Sequence, residues 1–483
     1  MRLTRTIGYL LVLLASLPAQ AADLRPSQQT AVADVESRAA DLKAINKAIW
    51  EFAEVGLEEH KSAALLVSKL KDNGFAVQTG VSNMPTSFVA SFGSGRPIIG
   101  ILAEYDALPG LSQKVDPDRL PVVEGAPGHG CGHSGLGTGA LGAALAAKAA
   151  MQKHGLKGTI RLYGTPAEET LIGKVYMLLD GQFDDLDACL HWHPASKTGV
   201  WSGSSKAAAS VKFTFKGLAA HAAGNPEKGR SALDAVELMN VGVNFMREHV
   251  QEDARLHYVI TDGGGAPNVV PATATVWYYV RADKHQDVES YFEWVNDIAK
   301  GAALMTRTKV SVQVDTDCHE IIKNDALSVM LHANLLAIGP PKFTEAERAF
   351  ARRLQQPVIE QFGTEIKLAL EEDIRSLADV TETSKGSTDV GDISWYVPTA
   401  GIRTACMAAE SPGHSWQNVA AIGSPIGEKG TLVAAKALAI SLVDLLEKPE
   451  LVTAAKSDWK QRMEGKKYSS LIPKGQKAPA KIR

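Results

Sequence analysis

Residues 128–137 read Gly-His-Gly-Cys-Gly-His-Ser-Gly-Leu-Gly, and the stretch 134–150 that grows out of them is rich in Gly, Ala and Leu. A helix with so little side chain and no polar face has to be buried tightly on all sides. The rest of the chain must therefore supply layers around it. Strand-like runs stand ready on either side. Phe88-Val-Ala-Ser-Phe and Pro97-Ile-Ile-Gly-Ile-Leu-Ala precede it, and Thr159-Ile-Arg-Leu-Tyr and residues 187–192 follow. Each is a short apolar run closed by turn residues. Strands that alternate with helical segments predict an α/β domain with layered helices and a mostly parallel sheet.

Helical spacing elsewhere fits that scheme. Ile45, Ile49, Phe52 and Ala53, then Leu65, Val67 and Leu70, recur with a helix period across 35–73. Gly74 closes the second of these helices. Near residue 205 the pattern changes. Alternating strands are expected at 208–216, 256–261, 273–282 and 309–314, with helices at 231–250 and 288–304. Such a βαββαβ segment of about 110 residues reads as an inserted α+β (ferredoxin-like) domain. Beyond Asn324 the chain turns helical again. Residues 388–397, a strand at 401–407 and a helix at 429–446 complete the first domain. The expected order is a leader at 1–21, the larger domain at 22–205 and 323–465, the insert at 206–322, and a solvated basic tail at 466–483.

The leader is read from chemistry. Arg2 and Arg5 precede an apolar run over 7–17, and Ala19-Gln-Ala21 offers a small-x-small cleavage site. The run is too short to span a bilayer. A cleavable export signal, and hence a periplasmic or secreted protein, is expected; an uncleaved anchor is the alternative. A net charge of −3 gives no electrostatic footprint for nucleic acid, and none is expected as a partner. Four cysteines are too few for a disulfide scaffold. Cys189 and Cys406 lie in apolar surroundings and read as small core residues, whereas Cys131 sits among glycines and histidines.

Cys131 and His133 make a compact pair of metal-ligand types. Glu168 and Glu169 follow the strand at 159–163 directly. His191 and His193 lie near the end of another strand, and His414 stands in a Gly-His-Ser turn. Sites in α/β sheets form outside the carboxyl ends of the strands, so these loops converge on one rim. Two adjacent glutamates allow one to ligate a cation and the other to act as general base on an activated water. His191 and His193 share a strand face, so periodicity cannot choose between them. Two decoys compete. Gly130-Cys-Gly-His-Ser-Gly135 matches a dinucleotide glycine pattern but lacks the preceding strand. Gly132-His-Ser134-Gly-Leu is one residue short of a nucleophile elbow, which leaves a serine hydrolase using Ser134 as an alternative. A non-catalytic metal- or peptide-binding protein is a third reading.

Taken together, these motifs resemble the M20 metallopeptidases and amidohydrolases, in the branch that holds the aminobenzoyl-glutamate hydrolase B subunits. The resemblance rests also on Ile49-Trp-Glu-Phe-Ala-Glu54, Ala103-Glu-Tyr-Asp-Ala-Leu-Pro-Gly110, Trp192-His-Pro194, Asn268-Val-Val-Pro271, Ser387-Thr-Asp-Val-Gly391 and Gly413-His414-Ser-Trp416. It implies two divalent metal ions, zinc or manganese with cobalt as a further option. It implies hydrolysis of the amide bond of a small N-acyl amino acid or dipeptide-like substrate, and a homodimer formed through the inserted lid. Carried over, Cys131, His133, Glu169, His193 and His414 are ligands and Glu168 is the base. The resemblance favours His193 over His191 because Trp-His-Pro stays together. His221 would polarise the scissile carbonyl or stabilise the oxyanion, in its own site or the partner's, and Asn268 and Arg281 would contact substrate. Two departures stand out. Glu104-Tyr-Asp106 replaces the His-x-Asp of many relatives, so Cys131 is expected to take over part of that coordination, with Asp106 behind the ligands. Ser134 stands where relatives carry Asp or Asn.

Overall fold

The buried helix is the spine of the larger domain. In the computed structural model, residues 23–379 and 384–481 are described. The expected export signal lies outside them. Helices α1 (Pro26–Ser37), α2 (Ala39–Phe52) and α3 (His60–Asp72) lead into strands β1 (Ala76–Thr79), β2 (Phe88–Ser94) and β3 (Ile98–Ala103). Then come α4 (His133–His154), β4 (Gly158–Gly164), α5 (Gly173–Leu179), β5 (Ala188–Ala195) and β6 (Gly199–Trp201). Helix α4 is buried from His133 through Ala147. Its glycines let neighbours approach. A Cβ at Gly137 would lie 2.8 Å from the Glu104 carbonyl oxygen, and one at Gly139 would lie 2.6 Å from the Trp192 ring.

The insert contains β7 (Ala207–Lys216), α6 (Ala232–Met246), β8 (Arg255–Asp262), β9 (Thr273–Ala282), α7 (His285–Thr306) and β10 (Lys309–Cys318). The chain then returns through α8 (Asp325–Ile338), α9 (Glu345–Phe362), α10 (Val390–Tyr396), β11 (Thr399–Ala405), α11 (Trp416–Ile422), α12 (Pro425–Glu447) and α13 (Pro449–Met463). Among the described residues, no helix is long and apolar enough to cross a membrane.

The large sheet runs β1-β2-β4-β3-β5-β11-β6. It is mixed, with the expected parallel strands at its centre. Its centre, β4-β3-β5-β11, is parallel, while the pairs β1/β2, β2/β4 and β11/β6 are antiparallel. The reason is the length of three links. The chain between β1 and β2, β2 and β3, and β5 and β6 is too short for a crossover, so each link reverses direction. The parallel centre still brings the carboxyl ends of β3, β4, β5 and β11 to one rim. Helices α1, α2, α4 and α12 form one core with this sheet.

The insert is a four-stranded antiparallel sheet in the order β10-β7-β9-β8, with α6 and α7 on one face. Strand β9 alternates cleanly. Ala274, Val276, Tyr278, Val280 and Ala282 are buried, while Trp277, Tyr279 and Arg281 are half-buried on the other face. Arg281 Nη1 reaches 3.5 Å from Ser387 Oγ, so the carboxyl end of β9 meets the larger domain.

The C-terminal segment is not a free solvated tail. Tyr468 stacks on His319 at 4.3 Å between ring centroids and donates to Asp392 Oδ1 at 2.9 Å. The Leu471 N–H donates to Asp317 Oδ2 at 2.6 Å, and Gln476 Nε2 donates to the Val314 carbonyl at 2.7 Å. The basic composition hid these few anchors; Ile472 among them is buried. The four cysteines are free thiols, and Cys189, Cys318 and Cys406 are buried.

Candidate metal centre

Backbone geometry aims the donors. Gly132 has φ 86°, in the left-handed region, and a Cβ there would sit 2.9 Å from Pro194. Glycine at this point lets the chain turn from Cys131 into α4, so that the thiol and the His133 ring face the same space. Glu168 and Glu169 occupy a single helical turn, Glu168–Thr170, beyond the end of β4. Ala167 and Leu171 on either side both have positive φ, as does His414. Such strain, about 1–3 kcal/mol per residue, persists where surrounding structure imposes it, and it clusters at functional sites.

Three donor groups result. They are Cys131, His133 and His193; Cys131, Glu169 and His414; and Glu104, His133 and Glu168. Within each, the ligating atoms lie within 4.8 Å of one another. Cys131 Sγ is 3.3 Å from His193 Nε2. His414 Nε2 is 3.4 Å from Glu169 Oε2. His133 Nε2 is 3.3 Å from Glu104 Oε2 and 3.8 Å from Glu168 Oε2.

Hydrogen bonds behind the donors orient them. Asp106 Oδ1 lies 2.8 Å from His133 Nδ1, and its other oxygen accepts the Glu169 N–H at 2.9 Å. His193 Nδ1 lies 2.6 Å from the Pro194 carbonyl oxygen. The carbonyl can only accept, so Nδ1 carries the proton and Nε2 presents a lone pair towards Cys131. Fixing the tautomer in this way is how a protein prepares an imidazole for a metal.

The electrostatics fit a cation. Burial pushes Glu169 up to about 8, against the opposing charge of His133. Burial, then repulsion from Glu104, raises Glu168 well above the carboxylate range. Burial and the neighbouring Glu169 also push the Cys131 thiol up. Burial, then the charge of His133, pulls His193 down to about 4. Glu104 Oε2, His133 Nε2 and Glu169 Oε1 are buried with no hydrogen-bond partner among the described residues. Buried polar atoms are rarely left so. Divalent cations would supply the missing partner and stabilise the ionised forms of these donors.

The structure brings Cys131, His133, Glu168, Glu169, His193 and His414 together. It separates the two histidines of β5. Both face the same side, but His191 pairs with Gly401, one step back from the rim. Its ring lies across that glycine, where a Cβ would come within 2.4 Å, and packs against Trp201. Burial holds it down at about 3.

His221 and Asn268 lie elsewhere. Both are exposed on neighbouring loops of the insert, and the Ala222 N–H donates to the Asn268 carbonyl at 2.9 Å. Within one chain they do not join the donor cluster. Arg281 is nearer. Burial first, then the charges of His133 and Arg281, lower the His414 pKa. Ser134 is buried on the first turn of α4, its hydroxyl without a partner among the described residues. The serine-hydrolase alternative therefore has no base.

Three residues escaped the sequence reading. Glu104 stands where a histidine was missed, and its carboxylate reaches the centre directly. Lys174, fully buried on α5, ties Glu104 Oε1 at 2.8 Å to Asp389 Oδ1 at 2.6 Å. Burial opposes its charge, but Asp389 and then Glu104 keep its pKa raised. The signal was available: Leu171-Ile-Gly-Lys-Val-Tyr-Met-Leu-Leu179 is an apolar run with one lysine in it, directly after the glutamate pair.

Known proteins resemble this chain along most of its length. The family described as a peptidase dimerisation domain (M20_dimer) matches residues 204–305. The B subunit of the p-aminobenzoyl-glutamate hydrolase of Escherichia coli (strain K12) is 40% identical over 448 residues, covering 88% of this chain and 93% of the relative. The Xaa-Arg dipeptidase of Mus musculus is 27% identical over 458 residues, covering 92% and 94%. A solved dinuclear metal-binding M20 peptidase of Bacillus subtilis shares the fold at a TM-score of 0.54 and 16% identity, covering 85% of this chain and 99% of that one. With 40% identity along nearly its whole length to one such hydrolase, this chain belongs to the M20 family, among its amide-bond hydrolases.

Proposed function

We propose that the protein hydrolyses the amide bond of a small N-acyl amino acid, of the aminobenzoyl-glutamate type, using two divalent ions of zinc or manganese. Cobalt is a further candidate. The observation that carries this reading is the convergence of seven donors from three strand ends and two loops around buried, unpartnered acceptor atoms. Cys131, His133, Glu169, His193 and His414 would hold the ions, with Glu104 against His133. Thiolate and imidazole favour zinc. Bound ions supply Lewis acidity and lower the pKa of water.

The chain's own residues do the rest. Glu168 takes the proton of the attacking water and delivers it to the leaving amine. Its place at the centre, beyond the end of β4 and 3.8 Å from His133 Nε2, suits that exchange. Arg281 meets a substrate carboxylate with a planar pair of donors. His221 and Asn268 act in the partner's site of a homodimer formed through the insert. The exposed Val259 and Ile260 on the edge strand β8 support pairing there. The relative's name marks it as one component of a larger enzyme, so mass in solution must distinguish two like chains from a mixed assembly. Cleavage after Ala21 and export to the periplasm or medium complete the proposal.

The test is a panel of N-acyl amino acids and dipeptides, including p-aminobenzoyl-glutamate, assayed with zinc and with manganese. Glu168→Ala should keep its metal and lose about 10²- to 10⁴-fold in turnover. A loaded wild-type protein that cleaves none of the panel would overturn the reading. Wild-type turnover by the variant would remove Glu168 from the role of base.

A further inference from the structure

Arg403 has a setting that the metal centre does not require. It lies on β11, in register with His193 on β5 and Gly199 on β6. Paired residues on neighbouring strands face the same way, so one face of the sheet carries His191, His193, Trp201 and Arg403. The Arg403 guanidinium sits 4.0 Å from the centre of the Trp201 ring. The His193 ring is 6.0 Å from that same ring. His193 Nε2 in turn lies 3.3 Å from Cys131 Sγ. The guanidinium therefore borders the donor cluster.

Among the described residues the Arg403 side chain makes no ion pair or hydrogen bond; its one contact of note is the Trp201 face. Other half-buried arginines of this domain are satisfied. Arg161 holds Asp185 at 2.5 Å, and Arg348 holds Glu372 at 2.6 Å. A guanidinium cannot shed its charge to escape burial, and its donors form a rigid fork matched to a carboxylate. Stacking on indole recovers part of the cost of desolvation while leaving the edge of the fork free. Gly199, its partner on β6, is packed by the Arg375 side chain, and Gly401 on its own strand by the His191 ring.

We infer that Arg403, on its Trp201 platform, is a seat for the side-chain carboxylate of a dicarboxylic N-acyl amino acid on the β11 side of the metal centre, separate from the α-carboxylate seat at Arg281. Two guanidiniums then select dicarboxylic N-acyl amino acids over their neutral counterparts. The inference rests on the proposed amide-hydrolase reading for the class of substrate.

Equilibrium binding tests it. In a Glu168→Gln background, which holds substrate without turning it over, calorimetry would compare N-benzoyl-glutamate with N-benzoyl-glutamine, in metal-loaded protein with and without Arg403→Ala. The glutamate compound should bind about 10- to 100-fold more weakly in the variant, the range for one charge-assisted pair. The glutamine compound should change less than about twofold, and metal content should be unaltered. Arg403→Lys should recover part of the loss, since it keeps the charge but not the fork. Equal losses for both compounds, or loss of metal, would reduce Arg403 to a structural role and overturn the seat. Failure of wild-type protein to hydrolyse either compound would count against the amide-hydrolase reading alone. A carboxylate preference that disappears with Arg403 would still uphold the seat.

Discussion

Cys131 belongs to two of the three donor groups at once, with His133 and His193 on one side and Glu169 and His414 on the other. A serine there would keep the size but not the soft, anionic donor that zinc prefers. Cys131→Ser should therefore lose metal, with bound zinc falling by half or more on elemental analysis. His193→Ala should do the same, and His191→Ala should keep its metal, because the His191 ring packs between Gly401 and Trp201. Metal loss in His191→Ala with retention in His193→Ala would reverse the assignment. Periodicity could not choose between these two histidines, since a strand presents both to one face, and only the family resemblance favoured His193. What separates them is their partners, a glycine on β11 and a carbonyl at Pro194, and partners across a sheet are not written in local periodicity. Glu104 was opaque for a related reason. It stood out as the place of a missing histidine, and only the close approach of α4 at Gly137 shows its carboxylate lying under His133.

At the scale of elements, the periodic pattern located the helices and strands well wherever one face was buried. It anticipated the parallel centre of the sheet but not its antiparallel margins, because pairing direction depends on link length more than on the strands themselves. It also missed the docking of the C-terminal segment. That segment closes a cluster at the junction of the insert with the larger domain. His285 at the start of α7 stacks on His319 with ring centroids 3.6 Å apart, and Tyr468 covers the other side of His319. His285 Nε2 lies 2.8 Å from Asp317 Oδ1, and its backbone N–H donates to Glu320. Burial lowers the His285 pKa, but the hydrogen bond and charge of Asp317, then Glu289 and Asp392, raise it above the usual histidine value. A raised pKa means that protonated His285 contributes stability. That contribution is fully present below the unfolded value of about 6.5 and is lost as pH rises through the folded value. Urea midpoints should fall as pH rises above about 6.5, and His285→Gln should flatten that fall by weakening the acidic end. An unchanged slope in the variant would assign the pH dependence to other groups.

The whole molecule poses the question that one chain leaves open, which is whether His221 and Asn268 meet the chemistry. Both sit on exposed loops of the insert, apart from the donor cluster of their own chain. Two arrangements could bring them in. Either the insert closes onto its own domain, or a second copy presents its loops to the first. The two differ in a way that mixing can read. If His221 serves the partner's site, a dimer of one His221→Ala chain and one Glu168→Ala chain contains one complete site, with Glu168 from the first chain and His221 from the second. Neither parent has a complete site. Unfolding and refolding the two variants together should then restore about a quarter of wild-type activity, since half of randomly assembled dimers are mixed and each has one working site in two. Size-exclusion chromatography with light scattering should give twice the mass of the mature chain for wild type and both variants. If His221 serves its own chain, every site in every mixed dimer lacks either the base or the histidine, and no activity returns. Restoration would also explain why the insert ends in an exposed apolar edge at β8, since the contact that shelters Val259 and Ile260 would be the one that completes the site.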